Sequence, residues 1–205
     1  MRDAEVNQIL IKEKAVEFNT KKPYTFASGI KSPVYTDCRI LISNTVLREK
    51  ITFKLAEKVS EDVDVVCATA SAGIPWGAWV ADQKKLPLVY VRKNSKKHGL
   101  AKKIEGKISA GDKALVIDDL VSTGGSALDA VDTLREEKIG VYEVLCIFTY
   151  DLPETKRNFA EKNIALSALT SLPQLTKHLI QQNYLSEQDL AQISLWSENP
   201  REWMR

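Results

Sequence analysis

Ala114-Leu115-Val116-Ile117-Asp118-Asp119-Leu120-Val121-Ser122-Thr123-Gly124-Gly125-Ser126-Ala127-Leu128-Asp129-Ala130 is the stretch that decides how this chain folds. Its apolar run, 114–117, reads as a buried strand that ends in two adjacent carboxylates, Asp118 and Asp119. A Ser-Thr-Gly-Gly-Ser turn follows, and from Ser126 the apolar positions Ala127, Leu128, Val131 and Leu134 have helical spacing. Successive amides at a helix N-terminus converge on one point and carry partial positive charge, so such a turn attracts phosphate. Gly124 and Gly125 let the backbone approach closely, and Ser122, Thr123 and Ser126 add hydroxyl donors. Two carboxylates beside a phosphate require a ligand that brings hydroxyls or a metal. A sugar phosphate meets both demands. Strand alternation predicts that Asp118 and Asp119 point to opposite sides and are not equivalent.

The same rhythm repeats on either side. Strands are predicted at 63–68, 86–91, 113–117, 141–148 and 164–169, with helices near 74–84, 126–138 and 154–162. Apolar strands alternating with helices predict an α/β fold, a parallel sheet flanked by helices, whose ligands bind at the C-terminal edge of the strands. Three loops meet at that edge: 118–126, 69–75, and the loop after Val91. The second, Ala70-Ser71-Ala72-Gly73-Ile74-Pro75, is built of small residues, and Pro75 suits the first position of a helix. The third, Arg92 to Lys103, carries six lysines and arginines and no acid before Glu105. Charge runs of this kind often form solvated faces, but this one also balances a ligand with several phosphate charges. With Gly99 and Gly106 near its ends it has the composition of a lid. His98 lies within it, whereas His178 falls in a late helical stretch.

The first 43 residues form a separate unit, a small hood. Residues 3–18 have helical spacing, and 24–29 and 32–37 read as short strands about a glycine turn. Helical spacing returns at 45–60. After Leu172, a segment to Gln182 and a helix starting at Ser186 bring apolar Leu190, Ile193, Leu195, Trp196 and Trp203 to pack back. One domain is therefore expected over 1–205, with an α/β core at 62–172 and C-terminal helices at 173–205. No linker, repeat or low-complexity segment divides it.

Composition narrows the class. A chain of 205 residues with 44% hydrophobic and 27% charged content is long enough for one substantial core. The net charge of +2 gives no bulk field for nucleic acid or a membrane surface. The polar N-terminus has no signal-peptide run, and no stretch reaches the roughly 18 apolar residues of a membrane span. Cys38, Cys67 and Cys146 lack metal-ligand spacing; Cys67 and Cys146 lie in apolar strand-like runs and suit buried thiols, in keeping with a reducing cytoplasm.

Neither G-x-x-x-x-G-K-[ST] nor G-x-G-x-x-G is present, so the turn is not a P-loop or a dinucleotide fingerprint. The strand-Asp-Asp-x-x-[ST]-[ST]-Gly-Gly-[ST] string instead resembles the phosphoribosyl pyrophosphate (PRPP) signature of type I phosphoribosyltransferases. Two further segments resemble the orotate branch of that family: Phe26-Ala27-Ser28-Gly29-Ile30-Lys31-Ser32-Pro33 with Tyr35 and Asp37, and Arg92-Lys93-x-x-Lys96-x-His98-Gly99. The resemblance implies Mg²⁺-dependent transfer of ribose 5-phosphate from PRPP to orotate in a cytoplasmic homodimer whose lid closes over the neighbouring subunit's site. It assigns Arg92, Lys93, Lys96 and His98 to pyrophosphate, with Lys96 and His98 nearest the chemistry. Asp118 and Asp119 take the ribose diol, directly or through the magnesium shell, and no protein metal site is implied. PRPP contacts run from Asp118 through Leu120, Val121, Ser122, Thr123, Gly124 and Gly125 to Ser126, and Ser122 also touches orotate. Many members have lysines where this chain has Ala27 and Ala72, and some have an arginine after the fourth strand where it has Thr149-Tyr150-Asp151-Leu152-Pro153. Lys31, or backbone amides of 27–32, would then receive the orotate carboxylate. Two other readings of the same signature are a purine phosphoribosyltransferase and a PRPP-sensing regulator that binds nucleic acid.

Overall fold

The computed structural model describes residues 2–25, 29–93 and 103–204. The chain opens with α1 (Arg2–Lys12), β1 (Val16–Phe18), β2 (Tyr24–Thr25), β3 (Lys31–Ser32) and β4 (Val34–Thr36), followed by a 3₁₀ helix (Cys38–Ser43) and α2 (Thr45–Ala56). The predicted helix over 3–18 is therefore too long. Lys14 adopts a left-handed conformation (φ 56°), which turns the chain so that Val16 pairs with Thr36 and Phe18 with Val34 in an antiparallel ladder. Pairing with β4 overrides helical periodicity in the last third of that segment.

The core follows as β5 (Val65–Thr69), α3 (Gly73–Lys84), β6 (Leu88–Val91), β7 (Ile104–Glu105), β8 (Lys113–Val121), α4 (Gly125–Glu136), β9 (Gly140–Thr149), α5 (Pro153–Glu161) and β10 (Ala165–Ser171). The six strands lie in the order β10-β9-β8-β5-β6-β7, all parallel except β7, which runs antiparallel to β6 and was not expected from the sequence. Every residue of β5, Val-Val-Cys-Ala-Thr, is buried, because helices cover both faces of the sheet. One face packs α1, α2, α3 and α6 (Leu172–Gln181) around Leu10, Ile51, Trp76, Ile117, Ile147 and Leu175. The other packs α4 and α5 around Val116, Val131, Leu134, Val144, Cys146 and Phe159. The family-level fold expectation, a largely parallel sheet between helical layers, is what the strands form.

The last helix, α7 (Glu187–Glu198), begins at Ser186 with a capping box to Asp189 and docks on the N-terminal strands. Trp196 Nε1 donates to the Lys31 carbonyl at 3.0 Å, and Thr20 Oγ1 donates to Asp189 Oδ1 at 2.5 Å. Chain start and chain end thus brace each other. Among the described residues no helix is long and apolar enough to cross a membrane.

Two local departures shape the crevice at the sheet edge. Helix α3 begins at Gly73, so Pro75 is its third residue and not its first. A Cβ at Gly73 would sit 2.5 Å from Thr69 Oγ1 and 2.6 Å from the Ile117 carbonyl, so only glycine allows the helix to start this close to β5 and β8. And β8 does not end at Ile117: Leu120 and Val121 continue the ladder with Phe148 and Thr149 of β9. The two carboxylates therefore lie inside the strand, not beyond it.

Candidate active site

The ladder between β5 and β8 stops at the Ala68–Ile117 pair, whereas that between β8 and β9 runs on to Val121–Thr149. After Thr69 the chain bends toward β6, with Ala70 N–H donating to the Val91 carbonyl at 2.9 Å. The strands diverge where the winding of the sheet reverses: β5 is followed by β6 on one side, and β8 returns to the other. Such a switch point is where an open α/β sheet leaves a crevice for ligands.

The crevice is a cavity of about 520 Å³. Its floor and one wall are Asp118 to Ala127 with Asp129; the others are Thr69 to Ala72, Lys93, and the hood residues Thr36, Asp37 and Arg39. All nine residues of the predicted 118–126 string are present. The turn is held from behind by α5, where Thr155 Oγ1 donates to the Ser122 carbonyl and Asn158 Nδ2 to the Thr123 carbonyl at 3.0 Å. Gly124, at φ 91°, is the N-cap of α4, and a Cβ there would collide with the Phe159 ring. With its carbonyls tied to α5, the turn presents the first-turn amides of α4, which have no carbonyl four residues back to bond.

Asp118 and Asp119 are each only 8% exposed. Alternation does give them different neighbours. Thr69 hydrogen-bonds Asp118, whereas the Arg39 charge acts on Asp119. Both nonetheless line the one cavity, because the crevice opens around the free edge of β8. Burial is the main cause that raises both carboxyls, and Asp118 is pushed up to about 7, with the neighbouring Asp119 charge adding to the effect. Asp118 Oδ1 accepts the Asp119 N–H at 2.9 Å, which partly offsets this.

The remaining predicted residues are distributed as follows. Lys93 lines the cavity, but Arg92 turns away, donating from Nη1 to Glu105 Oε1 at 2.9 Å while its N–H bonds the Lys103 carbonyl. These two bonds close the base of the basic loop. Lys96 and His98, and the Ala27 position, lie outside the described residues. Lys31 is exposed, donates from Nζ to Thr25 Oγ1 at 2.9 Å, and is not part of the cavity wall. Ser122 and Thr123 also border a second cavity of about 400 Å³ with Ile30, Leu152, Arg157 and Trp196. Arginine is thus present beyond the 149–153 segment, one helical turn into α5. Sequence reasoning placed the 69–75 loop at this edge, as found for Thr69 to Ala72, but missed Thr36 and Arg39. The last had a legible signal in the Asp37-Cys38-Arg39 spacing.

The raised Asp118 carboxyl has a consequence for stability. The folded state holds the proton more tightly than the unfolded chain does, so this group favours folding at low pH. That contribution is lost as pH rises from about 4 through about 7. Asp118→Asn removes the loss. The variant is expected to gain stability relative to the parent by on the order of 2 kcal/mol more at pH 8 than at pH 5. Chemical unfolding at both pH values reads this, and an identical difference at both would contradict it.

The chain resembles known proteins throughout its length. Residues 42–163 match the phosphoribosyl transferase domain family. The orotate phosphoribosyltransferase of Enterococcus faecalis is 44% identical over 197 residues, 95% of this chain and 94% of its own. That of Listeria innocua is 43% identical over 204 residues, covering 98% of both. A crystal structure of orotate phosphoribosyltransferase from Aeropyrum pernix superposes with a TM-score of 0.75 at 26% identity, over 88% of this chain and 99% of that one. The glycine turn, the buried acid pair and the switch-point crevice are set in a chain that belongs to the orotate phosphoribosyltransferase family.

Proposed function

We propose that this chain transfers ribose 5-phosphate from PRPP to orotate, giving orotidine 5′-monophosphate and pyrophosphate for pyrimidine nucleotide synthesis in the cytoplasm. The observation that carries this is the junction, in one crevice, of a phosphate-type helix start with two buried carboxylates. The 5-phosphate sits in the Ser122–Ser126 turn. Asp118 and Asp119 receive the ribose diol. Ser122, at the border between the two cavities, reaches the base.

Cleavage at ribose C1 builds positive charge on the sugar while pyrophosphate leaves as an anion, as glycosidic bonds break through oxocarbenium-like transition states. Ionised Asp118 and Asp119 stabilise the sugar side, and the cations of the 92–103 loop stabilise the leaving group. Closing that loop also excludes water from the ribosyl centre. Lys96 and His98 are the loop groups nearest the departing oxygens.

Mg²⁺ fits the donor set as an ion carried mainly by the substrate. It is a hard ion that binds oxygen and keeps several waters. Asp118 and Asp119 would hold the ion by way of the ribose hydroxyls or its water shell. It would supply charge neutralisation for the leaving pyrophosphate. The assembly is a homodimer in which each loop serves the partner's crevice, and nucleic acid is not a partner.

Purified protein with PRPP, orotate and Mg²⁺ is expected to consume orotate, and to leave it unchanged when PRPP is omitted. Turnover of adenine or hypoxanthine without orotate would support the purine reading instead. Salt-sensitive RNA binding without turnover would support a regulator.

A mixture of two inactive proteins tests the shared site. Asp118→Ala/Asp119→Ala protein combined with Lys96→Ala protein is expected to recover a measurable fraction of parental activity. That fraction should approach one quarter of a full complement for random pairing with one intact site per mixed dimer. No recovery in a mixed dimer verified by tagged pull-down would contradict shared sites.

A further inference from the structure

The crevice contains a cation that the PRPP signature does not include. Asp37 caps the 3₁₀ helix Cys38–Ser43, and its Oδ1 accepts the Arg39 N–H at 3.0 Å. The same carboxylate clamps the Arg39 guanidinium: Nε donates to Oδ1 and Nη2 to Oδ2, each at 2.7 Å. This is a fork-on-fork pair, which fixes the plane of the guanidinium as well as its position. The Asp37 carboxyl is held below the usual carboxylate range by these hydrogen bonds from Arg39, so the clamp persists at neutral pH.

Two edges of the guanidinium therefore differ. One edge is used by Asp37. The other, Nη1 and the second proton of Nη2, has no acceptor among the described residues, and the Arg39 side chain, 62% exposed, borders the cavity mouth. The side chains on the wall between the hood and the Thr69–Ala72 turn are otherwise neutral or acidic. Ala72, at the N-cap of α3, offers no charge there. Within the cavity the described cations are Arg39 and Lys93, against Asp37, Asp118, Asp119 and Asp129. A ligand with a pyrophosphate group has to find its counter-charge in this setting.

We propose that Arg39 is a substrate-binding residue of this site, its free guanidinium edge receiving the pyrophosphate group of PRPP, with Asp37 as the positioning residue that presets it. This rests on the phosphoribosyl-transfer reading above. Its logic is one of preorganisation. Arginine loses side-chain freedom when it binds, and here Asp37 has already fixed the rotamers before substrate arrives. Phosphate oxygens are the acceptors that match the fork, and the ribose diol on Asp119 would place the C1 substituent beside the hood. Lys31, bonded to Thr25 and outside the cavity wall, does not fill this role.

The test compares Arg39→Gln, Arg39→Lys and Asp37→Asn with the parent. Binding of pyrophosphate with Mg²⁺ is measured by calorimetry, without turnover, and the KM values for PRPP and orotate are measured separately. Losing a charged hydrogen bond corresponds to a roughly 10- to 100-fold effect. Arg39→Gln is expected to weaken pyrophosphate binding and raise the PRPP KM by about that factor, with the orotate KM changing less than about threefold. Arg39→Lys and Asp37→Asn are expected to fall between, because each keeps a cation and loses the clamp. Thermal melts and oligomeric state are expected to match the parent. A shift confined to the orotate KM, with pyrophosphate binding unchanged, would assign Arg39 to the orotate carboxylate and overturn the proposal. Unchanged binding together with a lowered melt would make the pair a helix cap only, and would also overturn it. If the parent bound pyrophosphate and Arg39→Gln weakened that binding, but the parent did not consume orotate, the transfer reading would fail while the Arg39 assignment stood.

Discussion

Strand β8 stays hydrogen-bonded to β9 through Val121 but parts from β5 after Ile117, and the rest of the site depends on that unequal release. For four residues the strand has one satisfied edge and one free edge. A polar pair on a fully paired strand would be sealed between two neighbours; here it borders a crevice. The Gly73 start of α3 keeps the opposite bank close, since any Cβ at that position would press on Thr69 and the Ile117 carbonyl. Helix α5 pulls the Ser122 and Thr123 carbonyls back, which leaves the helix-start amides facing the gap. The crevice is a product of backbone pairing, and the side chains exploit it.

Acids outnumber cations among the described side chains of the crevice. Burial raises the proton affinity of both carboxyls, and the Asp119 charge raises that of Asp118 further, a cost to the folded protein at neutral pH. A ligand whose hydroxyls donate to the pair would relieve that cost, so its binding and the ionisation of the pair would be linked. Among the described residues the counter-charges come from outside the strand: Lys93 on one bank, and the clamped Arg39 on the other. Stability is given up where function needs charge, which is where enzymes commonly place it.

Much of this is legible in the residues themselves. The five parallel strands could be read because each has a largely apolar run, buried throughout in β5, and the 118–126 string announced its own chemistry through its glycines and acids. What could not be read belongs to pairing at a distance. Residues 16–18 keep helical periodicity, yet Val34–Thr36 captures them as a strand. Ile104–Glu105 is too short to signal a strand until it meets the end of β6. Asp118 and Asp119 look like a strand terminus because nothing in their own segment says that Phe148 and Thr149 will extend the ladder. Arg39 was overlooked for a related reason: its spacing from Asp37 was plain, but its position at the cavity mouth depends on how the hood packs over β8.

The central claim is that the free edge of β8 and the turn after it receive the ribose phosphate. Titrating ¹⁵N-labelled protein with ribose 5-phosphate and following the backbone amides tests this most directly. The account predicts saturable shifts centred on Leu120 to Ser126 and on Asp118 and Asp119, with smaller ones at Thr69 to Gly73. Shifts confined to another region, such as the surface around Trp79 and Phe53, with the 118–126 amides unmoved at saturation, would contradict it.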